Sequence, residues 1–335
     1  AVLPLSASHR ISAGALVFLT LYLLLLARSS DRLFQYLLLV PCLVILIGIT
    51  VVPLGYLAWL SLHQVTIVNF LKSKPFVGAR NYLTLFVDDP LFIPVLVRSL
   101  QLLILGVALQ LALGLVLALL CNREFRLRPA VTTILLLPIM TSSIVVGMLW
   151  KYMLYHYNGF INLLLRAIGV PPQPWLTNEG LPWIRDLPYV GVWLVNTLNF
   201  NYAFLSVLLT NTWQWTPLAF LLLWGGLASL PQEVFEAARV DGATAWQTLR
   251  YVTLPMLSPI IAVVVVIRGI DLMKIFGMIW ALFGNAPIAR TLNIHIHTVG
   301  IASQNYGIGA ALSILVATGT VLLFVVFQGV LARRR

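Results

Sequence analysis

Three charged side chains interrupt an apolar segment that runs from residue 256 to residue 282. Arg268, Asp271 and Lys274 are spaced three residues apart, so they lie close to one face of a helix. Charges within an apolar helix are costly, and they usually pair with one another or border an aqueous path. The spacing predicts a ladder of ion pairs that holds helices together or a polar pathway along this face, and the two interpretations are compatible.

Amide and aromatic side chains are interleaved in a second apolar segment, residues 203–228. Asn211 and Gln214 lie beside Trp213 and Trp215 there. Amide groups both donate and accept hydrogen bonds, and the hydroxyls of a sugar need such partners next to an aromatic face on which the ring can stack. The pattern therefore indicates a sugar-binding face, with hydrogen bonding between helices as the alternative.

Histidines and cysteines give weaker signals. His295 and His297 alternate in a segment that offers no third ligand, so we expect no metal site. Cys42 and Cys121 are far apart and lie in or at the ends of apolar segments, which is typical of small core-filling residues.

The composition places the chain in a membrane. Of its 335 residues, 60% are hydrophobic and only 9% are charged, against about a quarter charged in soluble domains. This excludes a soluble enzyme, a disordered regulator and a fibrous protein. The net charge of +11 comes from basic residues scattered singly between apolar runs, so we expect topology signals in a lipid bilayer and no nucleic-acid partner.

A helix that crosses a hydrocarbon core of about 30 Å needs about 20 apolar residues. Six segments meet that length: 36–60, 99–121, 130–150, 203–228, 256–282 and 306–331. A shorter run at 11–27 predicts an additional N-terminal span. The sequence therefore predicts an all-α integral membrane protein, and the density of basic residues places the C-terminus in the cytoplasm.

The polar loop at 229–255 predicts two short helices between two spans. Ser229 and Gln232 are spaced as in a capping box, with Pro231 in the first turn, so we expect a helix to begin there. Gly242 permits a sharp turn, and residues 243–253 can form a second short helix.

This loop resembles a known motif. Glu236-Ala237-Ala238, Gly242 and Leu254-Pro255, with Asp241 between, match the cytoplasmic "EAA" loop of permease subunits in bacterial ABC importers. Phe76-Val77-Gly78 and other stretches resemble the carbohydrate-importing branch of that family, from about residue 36 to residue 330. The chain departs from the family where it reads Phe283-Gly284-Asn285-Ala286-Pro287, since a Gly-Gly-Pro turn is usual there.

The resemblance implies a type I ABC importer transmembrane domain at 36–335, with six common spans and the coupling loop at 229–255, preceded by an N-terminal extension at 1–35. It implies a non-catalytic, multi-pass subunit of the bacterial or archaeal cytoplasmic membrane that imports a sugar, a disaccharide or oligosaccharide. The expected partners are a second permease subunit, two ATP-binding subunits and an extracytoplasmic solute-binding protein. Because the sequence contains no GxxxxGK[ST] phosphate loop, we expect no cofactor in this chain, with ATP and Mg bound by the partner subunits.

The resemblance also assigns site residues. The positions implied for coupling to the ATPase are Glu236, Ala237, Ala238, Asp241, Gly242, Leu254 and Pro255. The positions that match the sugar contacts of maltose-type permeases are Asn211, Gln214, Trp215, Leu218, Arg268, Asp271, Leu272 and Ile275. Arg268 and Asp271 stand where the family has uncharged residues.

Other functions stay open at this point. The same architecture could import a glycerol phosphodiester or a compatible solute. An ion-coupled carrier would explain the polar spans but not the EAA loop. A membrane enzyme such as a lipid-linked glycosyl transferase would need paired acids, and the one candidate pair, Asp88-Asp89, precedes Pro90 in a stretch that is typical of a turn.

Overall fold

The computed structural model describes Tyr22 and residues 30–188 and 200–332, and the chain divides into two compact units after Leu60. The first unit contains one long apolar helical run. It consists of α1 (Asp31–Leu46), a π-helical turn (Ile47–Val51) and α2 (Val52–Ser61). The predicted span at 36–60 is confirmed as a helix of sufficient length, whereas the predicted span at 11–27 lies outside the described residues apart from Tyr22.

The described part of the second unit consists of helices joined by non-helical segments. In chain order, its α-helices are α3 (Arg80–Val87), α4 (Phe92–Cys121), α5 (Arg128–Leu136), α6 (Ser143–Met153), α7 (Phe160–Ala167), α8 (Pro182–Arg185), α9 (Tyr202–Ala228), α10 (Gln232–Val240), α11 (Ala245–Gln247), α12 (Leu254–Met273), α13 (Gly277–Phe283), α14 (Leu292–Ile296) and α15 (Tyr306–Ala332). Helices α4, α9 and α12 pack against one another and form the centre of this unit. Their apolar side chains fill two buried clusters, one around Leu102 and Phe204 and one around Phe220 and Leu257.

Among the residues that the structure describes, four helical runs are long and apolar enough to cross a membrane, and the number rises to six if two bent pairs each count as one span. The predicted span at 130–150 is not one continuous helix, because the chain bends by 101° between Met140 and Ser143; the two helices together form a broken span or a re-entrant loop. Pro138 lacks a backbone N–H, the turn at Leu137–Met140 tightens to a 3₁₀-helix, and Thr141 is extended. Hydropathy alone does not register such a break.

The prediction of one helix over 256–282 is wrong. This helical run begins earlier, at Ala245, and ends at Met273, and three non-helical residues separate it from α13, which begins at Gly277. The exposed Lys274 follows the end of α12. A side chain at Gly277 would meet Ile144, so glycine allows α13 to lie close to α6.

Glycines set the closest approaches between helices of this unit. A Cβ added to Gly147 of α6 would lie 2.6 Å from the carbonyl oxygen of Met278 in α13. A Cβ added to Gly114 of α4 would lie 2.8 Å from Cβ of Ala219 in α9. Small residues at such contacts let helix backbones approach closely, which is how helices associate in a bilayer.

Candidate functional site

The loop between α9 and α12 does not form the two separate short helices predicted from the sequence, because the helical run from Ala245 continues without a break to Met273. Its first helix, α10, is short as predicted but starts differently. Helix α10 follows Pro231 with no side-chain cap, and the Ser229 hydroxyl instead donates to the carbonyl of Gly226. The predicted capping box at Ser229 is therefore wrong. The capping box of this loop lies at the start of α11. There the backbone N–H of Thr244 donates to Oε1 of Gln247, and the backbone N–H of Gln247 donates to the hydroxyl of Thr244.

The turn after α10 explains the spacing between the alanines and the glycine of the motif. The backbone N–H of Ala243 donates to the carbonyl of Ala238, and that of Gly242 donates to Arg239. This pair of bonds is a Schellman motif, which needs a left-handed residue just after the helix. Gly242 has φ +73° and satisfies that need, so the predicted turn is confirmed.

The coupling residues implied by the resemblance lie on the surface of this loop. Five of them are exposed and two, Ala238 and Leu254, are half-buried; the exposed ones are Glu236, Ala237, Asp241, Gly242 and Pro255. Two aromatic side chains nearby, Trp246 and Tyr251, are 64% and 70% exposed. Sequence reasoning missed both, although large aromatic residues in a polar loop are a usable signal of a partner surface.

A polar cavity of about 360 Å³ lies behind α10, where Glu236 and Arg239 face Asn122 at the end of α4. Helix α10 meets α9 at a bend of 74°. Helix α10 is exposed over most of its length, and its half-buried residues are Phe235 and Ala238.

A second group of functional candidates forms a hydrogen-bonded cluster between α4, α9 and α12. We call it the Arg268 cluster; its members are Gln110, Asn211, Trp215, Arg268 and Asp271. Nε of Arg268 donates to Oε1 of Gln110 (2.7 Å), and Nη1 donates to Oδ2 of Asp271 (3.1 Å). Nη2 donates to Oδ1 of Asn211 (3.3 Å), and the guanidinium lies 4.3 Å from the centre of the Trp215 ring.

Four of the eight predicted solute contacts thus come together in this cluster. Gln214 lies on another face of α9, where its amide donates to the carbonyl of Thr141 and the hydroxyl of Ser143. Leu272 is buried in the core against α4, while Leu218 and Ile275 are half-buried. Whether these residues touch a solute stays a prediction.

Gln110 is the member that sequence reasoning missed. It is fully buried, and its Nε2 donates to Oδ1 of Asn211 at 2.8 Å. An amide side chain in a long apolar helix is costly without a hydrogen-bond partner. Its presence in this segment was therefore the sequence signal that another helix supplies a polar partner. The predicted ladder of charges is only half correct, because Lys274 is exposed and belongs to none of the ion pairs among the described residues.

The remaining candidates are tied to a separate contact. Nε2 of His295 lies 2.7 Å from Oδ2 of Asp89, and the other carboxylate oxygen of Asp89 accepts from the N–H of Leu91. The predicted turn at Asp89-Pro90 is confirmed, and Asp89 is paired with a histidine. His297 packs elsewhere, against Phe276 and Trp280. Burial lowers the pKa of the adjacent Arg290 guanidinium from its ordinary value, and the charge of Asp89 opposes that shift.

Several known proteins are similar to this chain in sequence or in fold. Residues 110–335 match the family of binding-protein-dependent transport system inner membrane components. The chain is 31% identical to the trehalose/maltose transport system permease protein MalF of Thermococcus litoralis, over 84% of this chain and 87% of that protein. It is 29% identical to the trehalose transport system permease protein SugA of Mycobacterium tuberculosis, over 87% and 86% of the two chains.

A solved structure of a bacterial ABC transporter involved in the import of the acidic polysaccharide alginate superimposes with a TM-score of 0.72. That likeness covers 90% of this chain and 95% of the other at 24% identity, and it supports the fold alone. The family match covers more than half of the chain. The chain therefore belongs to the family of inner membrane components of binding-protein-dependent transport systems, the permease subunits of ABC importers.

Proposed function

We propose that this permease forms half of the translocation pathway of an ATP-driven sugar importer and takes its energy from ATPase subunits that dock on residues 229–255. The observation that carries the proposal is the exposed coupling loop, in which the EAA residues precede a Schellman turn at Gly242. Exposed Trp246 and Tyr251 add the kind of aromatic surface that protein interfaces favour.

The cargo we propose is a disaccharide or oligosaccharide. Two of the relatives are named as permeases for trehalose or maltose, and the Arg268 cluster places amides beside an indole ring. A glycerol phosphodiester or a compatible solute is the alternative cargo for the same architecture.

The proposed complex contains a second permease subunit, two ATP-binding subunits that hold ATP and Mg, and an extracytoplasmic solute-binding protein. Gene neighbours that encode an ATPase and a secreted binding protein would supply the parts. The test is reconstitution of those parts with this chain in liposomes, followed by measurement of ATP hydrolysis with trehalose, maltose, glycerophosphocholine and glycine betaine. Stimulation of ATP hydrolysis by trehalose or maltose supports the proposal. Stimulation by glycerophosphocholine or glycine betaine alone would contradict the proposed sugar cargo and identify the alternative one.

Orientation is tested by labelling. In a variant without Cys42 and Cys121, we expect a cysteine at exposed residue 178 to react with a membrane-impermeant maleimide in intact spheroplasts. A cysteine at exposed residue 245 should react only after the membrane is opened, because the C-terminal side and the coupling loop are proposed to face the cytoplasm. The reverse labelling pattern would overturn the orientation.

The solute site is tested by truncation of two cluster side chains. Asn211→Ala and Trp215→Ala should lower sugar uptake roughly ten- to hundredfold, because each removes a polar or stacking partner in a buried site. Both complexes should still assemble and hydrolyse ATP. Leu209→Ala is the matched control, since Leu209 lies on α9 and is 38% exposed. If both variants transport at the parental rate, the solute pocket lies elsewhere.

A further inference from the structure

A buried arginine near a solute pathway is a candidate binding group for anions, but the guanidinium of Arg268 already donates hydrogen bonds to other side chains of the protein. Its side chain is 1% exposed, and all three of its nitrogens donate to side chains of the cluster. The indole ring of Trp215 lies against the guanidinium. An acidic solute would therefore have to break existing hydrogen bonds in order to reach this charge.

Arg268 also fixes how the two amides are oriented. A guanidinium only donates hydrogen bonds, so Oε1 of Gln110 and Oδ1 of Asn211 must both face it. The Nε2 group of Gln110 then points at Oδ1 of Asn211, as observed. The carbonyl oxygens of both amides are consequently used inside the cluster.

Asp271 is the charged member that stays accessible. Its side chain is 37% exposed, while its ion-pair partner is buried. The pair is neutral as a whole, but its positive end faces inward and its carboxylate is partly open. A carboxylate accepts hydrogen bonds from hydroxyl groups and repels a second carboxylate or a sulfonate.

We propose that the Arg268 cluster selects uncharged, hydroxyl-bearing solutes and excludes acidic ones, with Asp271 as the residue that meets the solute and Arg268 and Gln110 as positioning residues. This inference rests on the proposed sugar-importing function and adds the charge class of its cargo. It assigns roles within the cluster: Asp271 accepts solute hydroxyls, Arg268 holds the carboxylate in place, and Gln110 holds Arg268.

The test compares trehalose with an acidic disaccharide of two uronic acids in the reconstituted complex of full-length chains. Wild type should import trehalose and exclude the acidic disaccharide. Asp271→Asn should lower trehalose uptake by about tenfold or more and raise the ratio of acidic to neutral uptake, because it leaves Arg268 as an uncompensated buried cation. Lys274→Gln is the matched control, since this cation on the same segment is exposed, and it should not change the ratio.

Rescue separates positioning from anion binding. Arg268→Gln alone should also lose trehalose uptake, whereas Arg268→Gln combined with Asp271→Asn should recover part of it and should lack the increased ratio of acidic to neutral uptake expected of Asp271→Asn alone. Arg268→Lys should restore little of the trehalose uptake that Arg268→Gln loses. The ammonium group of lysine cannot reproduce the set of directed hydrogen bonds that the planar guanidinium makes.

Two failures are distinguishable. If wild type prefers the acidic disaccharide and only the Arg268 variants lose that uptake, Arg268 is an anion receptor and the inference is overturned while the sugar importer stands. If wild type imports neither disaccharide nor any other saccharide with its binding protein present, the proposed function fails and the inference fails with it.

Discussion

Gly242→Ala should lower solute uptake about five- to thirtyfold, and Gly242→Leu should abolish it. The residue has φ +73°, where any side chain other than that of glycine costs roughly 1–2 kcal/mol. A Cβ at this position would meet no atom within 4 Å, so within this chain the penalty comes from the backbone and not from a clash. Leucine should have the larger effect because its side chain would also protrude from this exposed turn into the surface proposed to contact the ATPase. The Schellman turn should open, and the orientation of α10 relative to α11 should be lost.

Two comparisons make this result specific. Gly225→Ala is the matched control, because its Cβ would also meet nothing within 4 Å but its φ is that of an ordinary helix. Gly242→Asn should retain more activity than Gly242→Leu, since asparagine tolerates the left-handed conformation. Uptake and ATP hydrolysis are measured at equal amounts of membrane-inserted chain. Normal transport by Gly242→Leu would refute the coupling role of the turn.

Gly147→Ala should lower the free energy of unfolding by about 1–3 kcal/mol, and with it the unfolding temperature and the yield of the protein. The added methyl group would lie 2.6 Å from the Met278 carbonyl oxygen and 2.7 Å from Cβ of Ala281. Backbone atoms cannot move aside as a flexible side chain can, so α6 and α13 must separate. The measurement is the unfolding temperature of the full-length chain in detergent.

Replacement of glycine by alanine should have a different effect on the unfolding temperature at Gly269. Its nearest neighbour would be Cδ1 of Leu103 at 3.6 Å, an ordinary contact, and alanine favours a helix over glycine by up to about 1 kcal/mol. We therefore expect Gly269→Ala to leave the unfolding temperature unchanged or to raise it. Equal unfolding temperatures for the two variants would show that the contact between α6 and α13 is not tight.

The coupling loop could be predicted from the sequence because its geometry is encoded locally. The acceptor Ala238, the glycine and the donor Ala243 lie within six consecutive residues, and their spacing alone defines the end of a helix. The start of α10 is less predictable, because the Ser229 hydroxyl has two local hydrogen-bond partners: a backbone N–H that follows it, as in a capping box, and a carbonyl that precedes it. In the structure it donates to the preceding carbonyl of Gly226.

The polar cluster could be predicted only in part. Asn211 and Arg268 are recognisable because polar groups in apolar segments need partners. Gln110 was missed because its pairing depends on the register of α4 against α9 and α12, which sequence periodicity does not specify. The bend after Met140 was missed for a related reason, since the residues on both sides of it together read as one apolar run.

The Arg268 cluster also has a consequence for how the chain is made. Gln110 precedes Asn211 by 101 residues and Arg268 by 158, so both amides leave the ribosome before the arginine does. Arg268 lies five residues before the end of α12, and an arginine within a span opposes insertion into the bilayer. Helices α4 and α9, already inserted, offer the oxygen atoms that compensate this penalty. We therefore expect α12 to enter the membrane stably only when these helices are present, so that the order of synthesis is also an order of assembly.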